Sequence, residues 1–211
     1  MNKTVELVNE WARYEAKYPA GDIADFCRYY LAHHNVKELK GALVGGVVPP
    51  ISDGLLLKLI GRISKLNMAY AAKALSGTGL TQIEEFGILV SIKQSVNPRK
   101  TDVIYANLFE LSSGSDTLKR LQRLGFIREY VDEADKRSKR LELTPAGEDA
   151  VGQCHDRIVA NARMIMHDIE EDDKKLCIQI LKSVEVKFSR LWPEHKGKTF
   201  QEIHSSVVVR K

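Results

Sequence analysis

The sequence predicts a mainly α fold with a single β element, a hairpin placed well past the middle of the chain. Three observations predict it. Apolar residues recur at helical spacing in most stretches, both early and late. After Gly125 the period changes from helical to two, with Ile127 and Val131 on one side of a strand and Arg128 and Tyr130 on the other. A composition of 44% hydrophobic and 28% charged residues over 211 positions is that of an ordinary globular chain with a core.

From the N-terminus, Thr4 to Tyr18 places Val5, Leu7, Val8, Trp11, Ala12 and Tyr14 in an amphipathic helical pattern that Pro19 stops. Asp22 is a cap for a second helix with Ile23, Phe26, Cys27, Tyr30 and Leu31 on one face. Asn35 to Ser52 is punctuated by Gly41, Gly45-Gly46 and Pro49-Pro50 and reads as a loop or crossover. Its Leu43, Val44, Val47, Val48 and Ile51 are too apolar for a solvated linker, so it is expected to lie against something. Asp53 to Leu75 is a long helix, apolar on more than one side at Leu55-Leu56-Leu57, as suits burial between elements. Thr81-x-x-Glu84 reads as a capping box opening a helix through Phe86, Ile88, Leu89 and Ile92, with Pro98 marking the break after it. Thr101 to Phe109 is a short helix packed through Val103, Ile104, Leu108 and Phe109; Arg99 and Lys100 just ahead are placed for phosphate or for solvent alike.

The stretch from Glu110 to Thr144 carries the chemistry. Leu118 and Leu121, with Gly114 one turn earlier, form a narrow apolar stripe. Ser112, Asp116, Lys119, Arg120 and Arg123 fall on the other side of the same helix. Ser113 is expected to cap it, with Asp116 in its first turn and at i, i+4 from Arg120, and Gly125 to end it in a left-handed conformation. A return strand, Arg140 to Thr144, turns Leu141 and Leu143 to its apolar face. Between the strands Asp132 to Lys139 forms a polar tip with Lys136, Arg137 and Lys139. A basic helix beside a basic-tipped hairpin is a two-part nucleic-acid reader: the helix fits the wide major groove, and the thin tip can follow the backbone into the narrow minor groove. The charge is local. Of a net charge of +4, Lys93 to Thr144 holds eleven Lys or Arg against eight Asp or Glu. Thr144 and Pro145 open another helix through Val151, Cys154, Ile158, Ala162, Ile165 and Ile169. Asp172-Asp173 opens a last one through Leu176, Cys177, Ile180, Leu181, Val184, Phe188, Leu191 and Trp192, ended by Pro193. The residues beyond, with Val207-Val208-Val209, are unassigned.

The run from Leu121-Gln-Arg-Leu-Gly-Phe-Ile through Asp135-Lys136-Arg137-Ser138 to Leu143-Thr-Pro-Ala-Gly147 resembles the winged helix-turn-helix of MarR-type transcriptional regulators. The resemblance covers roughly Asp53 to Trp192, and includes a run from Leu80 similar to the family's Leu-Thr-x-x-Glu-Phe-x-x-Leu. In place of the family's Asp-Arg-Arg-Ser tip this chain has one Lys, which keeps the charge and loses the planar fork. The resemblance implies a three-helix core with a two-stranded wing, and terminal helices that form a dimerisation region. It divides the chain into a helical extension and loop (1–52), a dimerisation or linking helix (53–79), a DNA-binding domain (80–144), C-terminal dimerisation helices (145–192) and a tail (193–211). It implies a homodimer that binds double-stranded DNA sequence-specifically as a repressor, modulated by a small-molecule effector or an oxidant; a cytoplasmic location is expected separately, from the lack of a secretory signal and of a membrane-length apolar run. On that reading Lys119 and Arg123 lie near base edges, Ser112 and Arg120 near phosphate and Arg137 in the minor groove, with Asp116, Lys136 and Lys139 in the same surface. A dimer follows from geometry also, since one short helix and one hairpin read few base pairs and two copies reach half-sites about one DNA turn apart.

Other classes are weaker. No G-x-G-x-x-G, P-loop or nucleophile elbow occurs, so an enzyme or a bound cofactor has no motif to rest on. A winged-helix interaction or assembly module without DNA binding is the alternative. Cys27, Cys154 and Cys177 form no C-x-x-C pair, and the six histidines have no ligand spacing, so no metal site is expected. Cys27, beside Tyr29 and Tyr30, is a redox candidate against the commoner reading of a packed free thiol; Cys154 and Cys177 read as core. Trp11, Tyr14, Phe26 and Tyr70 either line an effector pocket or pack a core. The N-terminal acidic residues do not suit a secretory signal, and no apolar run reaches the ~18 residues that a membrane span needs.

Overall fold

The computed structural model describes residues 2–34 and 48–208, and among them nine helices and one antiparallel pair of strands. Leu43, Val44, Val47 and Val209 lie outside the described residues. By internal contact the chain divides into two units, residues 1–55 and 56–211.

In the first unit α1 (Lys3–Lys17) starts where the Asn2 side chain accepts the Thr4 N–H at 2.9 Å, and stops before Pro19. α2 (Ile23–His34) opens on the expected cap. Asp22 Oδ1 accepts the Asp25 N–H at 2.8 Å, and Asp25 Oδ2 accepts the Asp22 N–H at 3.2 Å, so two helix-start donors are satisfied reciprocally. The two helices meet through rings. Tyr14 and Phe26 are buried, 5.5 Å apart between centroids, and Trp11 stands edge-on to Phe26 at 5.2 Å. Trp11, Tyr14 and Phe26 therefore pack one another. Tyr70 is half-exposed on the next helix, and Ile23, Cys27 and Leu31 are exposed rather than packed.

α3 (Ser52–Ala74) begins in the first unit and continues into the second. There α4 (Ile83–Gln94), α5 (Lys100–Ala106) and α6 (Leu111–Arg123) surround one core with β1 (Ile127–Val131), β2 (Lys139–Leu143) and α7 (Pro145–Ile165). Leu75, Ile88, Leu89, Ile104, Leu118, Leu121, Leu141 and Cys154 are fully buried in it. α7 is tied to α3 by polar contacts: Arg157 Nη1 donates to the carbonyls of Ala74 (3.2 Å) and Ser76 (2.8 Å) at the end of α3, and Asn161 Nδ2 donates to Asn67 Oδ1 at 2.9 Å.

Several expectations are corrected. Glu85, not Glu84, caps α4, because the N-cap residue is Gln82, one position after Thr81, and the same three-residue spacing then falls on Glu85. Its Oε2 accepts the N–H groups of Thr81 (2.7 Å) and Gln82 (3.2 Å). α5 ends at Ala106; Leu108 takes a positive φ of 57° in the turn and is exposed, so it contributes nothing to the packing face. α8 (Glu171–His195) runs through Pro193, since a proline this near a helix end removes one bond, and the Lys196 N–H still reaches the Trp192 carbonyl at 3.0 Å. The unassigned tail forms α9 (Phe200–Val208), whose Ser206 lies 3.5 Å from the Nε2 of buried His195. Cys177 is exposed, not core. The long helix from Ser52 is not covered on all sides: Leu56, Leu57, Ile63 and Leu66 are exposed, as are Ile178, Val184, Phe188 and Trp192 on α8. Among the described residues no helix is long and apolar enough to cross a membrane.

Candidate nucleic-acid interface

α6 owes its position to a small residue and its end to a glycine. Gly114, Leu118 and Leu121 are buried as one stripe. A Cβ on Gly114 would lie 2.6 Å from the Cγ2 of Ile104, so α5 and α6 approach at a distance that only glycine permits. At the far end Gly125 has φ 73°, its N–H donates to Gln122 (2.9 Å), and the Phe126 N–H donates to Leu121 (3.0 Å). This paired closure satisfies the last carbonyls and turns the chain straight into β1. The start differs from expectation. Glu110 is the N-cap residue, and Ser113 is already inside the helix, its hydroxyl donating to the Glu110 carbonyl at 3.1 Å.

The outer face carries Ser112, Asp116, Lys119 and Arg123, all exposed. Asp116 pairs with Lys119 at 3.0 Å, not with Arg120. Arg123 has no acidic partner among the described residues; its Nε lies 3.4 Å from the Lys119 carbonyl. Arg120 points the other way. Its Nε is 3.0 Å from the Oε1 of buried Glu85, and Nη2 donates to the Gly79 carbonyl (3.1 Å) and to Thr81 Oγ1 (3.3 Å). One carboxylate thus caps α4 through one oxygen and holds α6 through the other. The guanidinium for which a phosphate role was expected is committed inside the domain in this structure, where it fastens α6 to α4.

The hairpin pairs Ile127 with Leu143 and Val131 with Lys139. Arg128 and Glu142 face each other across it as an ion pair. Its base is fastened to the segment before α5. The Leu141 N–H donates to the Pro98 carbonyl at 3.0 Å, and Arg140 Nη1 donates to the Asn97 carbonyl at 2.5 Å. Asp132, expected at the polar tip, is buried: its Oδ2 is 2.8 Å from Arg140 Nη2 and 3.9 Å from Arg99 Nε. The Arg140 guanidinium and the Ala134 N–H hold the Asp132 carboxyl below the usual carboxylate range. A folded pKa below the unfolded one contributes stability above about pH 4, lost as pH falls through the folded value. An NMR titration of Asp132 should therefore show a midpoint below the ordinary value, and Arg140→Gln should move it up toward that value. Lys139 and Lys100 both bind the carboxylate of Glu129, Lys100 at 2.8 Å. At the tip, Asp135 Oδ1 accepts the Arg137 N–H at 3.1 Å, while the side chains of Lys136 and Arg137 are exposed and have no ionic partner among the described residues.

Residues 84–147 match the family described as winged helix DNA-binding domain. A solved structure of MarR shares 19% identity at a TM-score of 0.62, covering 71% of this chain and 99% of its own. The chain carries a winged helix domain, and its fold is similar to that of MarR. A mutant MarR from E. coli complexed with operator DNA is 22% identical at a TM-score of 0.58, covering 61% of this chain and 92% of that one. BpsR from Bordetella bronchiseptica, solved to explain the regulation of its DNA binding by 6-hydroxynicotinic acid, is 17% identical at 0.57, over 62% and 98%. No curated protein sequence matches.

The motifs that resemble those of MarR-type regulators acquire physical reasons here. Thr144 caps α7 by accepting the Gly147 N–H at 3.0 Å, and donates its own hydroxyl to the Gly125 carbonyl at 2.5 Å. A Cβ on Gly147 would meet the Phe126 carbonyl oxygen at 2.0 Å, so the glycine of Leu-Thr-x-x-Gly is a close-packing residue. Sequence reasoning missed Glu85, Glu129 and Asp132 as fasteners. The available signal for Glu129 and Asp132 was charge type: two acids inside a segment with a cationic excess.

Proposed function

We propose that the chain is a sequence-specific double-stranded DNA-binding transcriptional regulator acting as a homodimer. The observation that carries this is the division of its cations. Arg120, Arg140, Lys100 and Lys139 are held by internal acids, whereas Arg123 on α6 and Lys136 and Arg137 on the wing project without acidic partners among the described residues, on a domain matched to DNA-binding winged helices. Lys119 and Arg123 serve the major groove and Arg137 the minor groove; Ser112, Asp116 and Lys136 border them. Repression is the mode that the resemblance implies. The exposed apolar residues of α3 and α8 support a dimerisation region built from those helices. Effector control is supported by a hollow of about 610 Å³ lined by Tyr105, Phe109, Trp192 and Lys196, where Lys196 also pairs at 3.1 Å with Glu110, the N-cap residue of α6. A ligand there would bear on the reading helix through that pair.

The test is fluorescence anisotropy with a mixed-sequence duplex over a salt series. Affinity should fall steeply with salt, and Arg137→Ala should weaken binding about 5-fold or more with an unchanged urea midpoint, as the loss of about 1–3 kcal/mol at a groove contact would give. A parent chain that leaves the duplex free at low salt would return the assignment to the second reading, an interaction module, which the internal commitment of four cations favours.

A further inference from the structure

Between the N-terminal end of α5 and the wing lies a hollow of about 310 Å³ lined by Lys100, Thr101, Asp135, Arg137, Ser138 and Lys139. Its walls are fixed by the bonds that knit the hairpin to the segment before α5: Leu141 to Pro98, Arg140 to Asn97, and a bridge pairing Arg99 with Arg140. Beneath it the Glu129 side chain, about one-tenth exposed, binds the ammonium groups of Lys100 from α5 and Lys139 from β2 at once. Two ammonium groups from different elements are thereby drawn to one point. Together they outnumber the carboxylate between them, and Arg137 adds a third cation at the rim. Asp135 also lines the hollow, but its Oδ1 accepts the Arg137 N–H, which fixes the turn.

We propose that this hollow is a phosphodiester site, holding one DNA backbone phosphate per chain between Lys100 and Lys139, and that Glu129 is the positioning residue that gathers the two lysines. The site rests on the DNA-binding reading above and adds to it a grip independent of the two groove-reading surfaces. A phosphate contact fixes the register of the protein on the duplex and carries no sequence information itself. Placed between the reading helix's supporting helix and the wing, it sets both at once. The hydroxyl of Ser138 supplies a neutral donor at the same opening.

The experiment uses the full chain and the mixed-sequence duplex across a sodium chloride series. A Lys100→Gln, Lys139→Gln double variant should lower the magnitude of the slope of log K against log salt by about 0.9 per chain, the value for one phosphate, because the two lysines share it. A fall of about twice that would mean two separate contacts, and no fall would mean none; either overturns the shared site. Glu129→Gln decides the positioning role. If Glu129 merely neutralises, removing its charge tightens duplex binding and steepens the slope; if it positions, binding weakens by several-fold and the slope becomes shallower. Thr101→Glu puts an anion in the hollow without disturbing the Glu129 pairs, and should weaken binding at low salt; unchanged affinity would count against the site even if the double variant folded poorly. Inorganic phosphate at millimolar concentration, tracked by the Lys100 and Lys139 resonances, separates a site for free anion from one completed only by the duplex. Failure of the parent to bind duplex sinks the functional reading itself, whereas a parent that binds, loses affinity in Arg123→Ala and ignores the hollow variants sinks this proposal alone.

Discussion

Gly147→Ala should lower the stability of the second unit by roughly 2–3 kcal/mol, although alanine is the better helix former. Gly147 lies in the first turn of α7, where its N–H meets the Thr144 hydroxyl, and the missing Cβ is the space occupied by the Phe126 carbonyl oxygen, 2.0 Å from where that carbon would sit. The obstructing atom is backbone, and that carbonyl also accepts the Thr144 N–H at 3.0 Å. Relief requires moving α7 away from the α6–β1 corner. Alanine gains up to about 1 kcal/mol of helix propensity, and inserting an atom into a packed contact costs about 1–3 kcal/mol or more, here toward the upper end because no side chain can swing aside. Gly152→Ala supplies the control on the same helix. Its Cβ meets nothing within 4 Å, so only propensity acts and the variant should gain about 0.5–1 kcal/mol. Urea titration of both checks the pair. Equal effects would mean that the close approach does not govern α7.

That glycine shows what the sequence could and could not convey. The existence of most elements was legible because it depends on local periodicity and punctuation: the Asp22 cap, the Gly114–Leu118–Leu121 stripe, the Gly125 ending and the Thr144-Pro145 start all follow from residues a few positions apart. The fastenings were not legible, because each joins elements distant in sequence. Arg120 and Glu85 are neighbours only once α4 and α6 are packed, and on the sequence alone a cation on a helix's polar face looks equally fit for DNA. The same holds for Lys100 and Lys139, which converge on Glu129 through the fold of the hairpin against α5. Leu108 failed for a local reason: the turn after α5 needs a left-handed residue, and a leucine does not announce one. The stripes of α3 and α8 were read correctly as apolar, while one chain leaves them open.

The Arg120–Glu85 pair gives the clearest separation between holding the reader together and touching DNA. Arg120→Ala should lower stability by about 3 kcal/mol, near the lower end of the 3–5 kcal/mol seen when one partner of a buried pair is removed, since the guanidinium is a third exposed while the carboxylate is 3% exposed. The loss has two parts. Glu85 keeps its bonds to the Thr81 and Gln82 N–H groups and still carries a buried charge, now without its counter-ion; and the Gly79 carbonyl and Thr81 hydroxyl lose a donor. Glu85→Gln with Arg120→Met should recover part of that loss, because removing both charges removes the desolvation cost together with the attraction. On DNA the variant should behave unlike Arg137→Ala. At a temperature where both are folded, the salt slope of Arg120→Ala should equal the parent's, as no phosphate contact is lost, while affinity declines only as far as α6 loosens. A slope reduced by about 0.9 per chain in Arg120→Ala would place its guanidinium on a phosphate after all, and would mean that the pair with Glu85 opens when the duplex arrives.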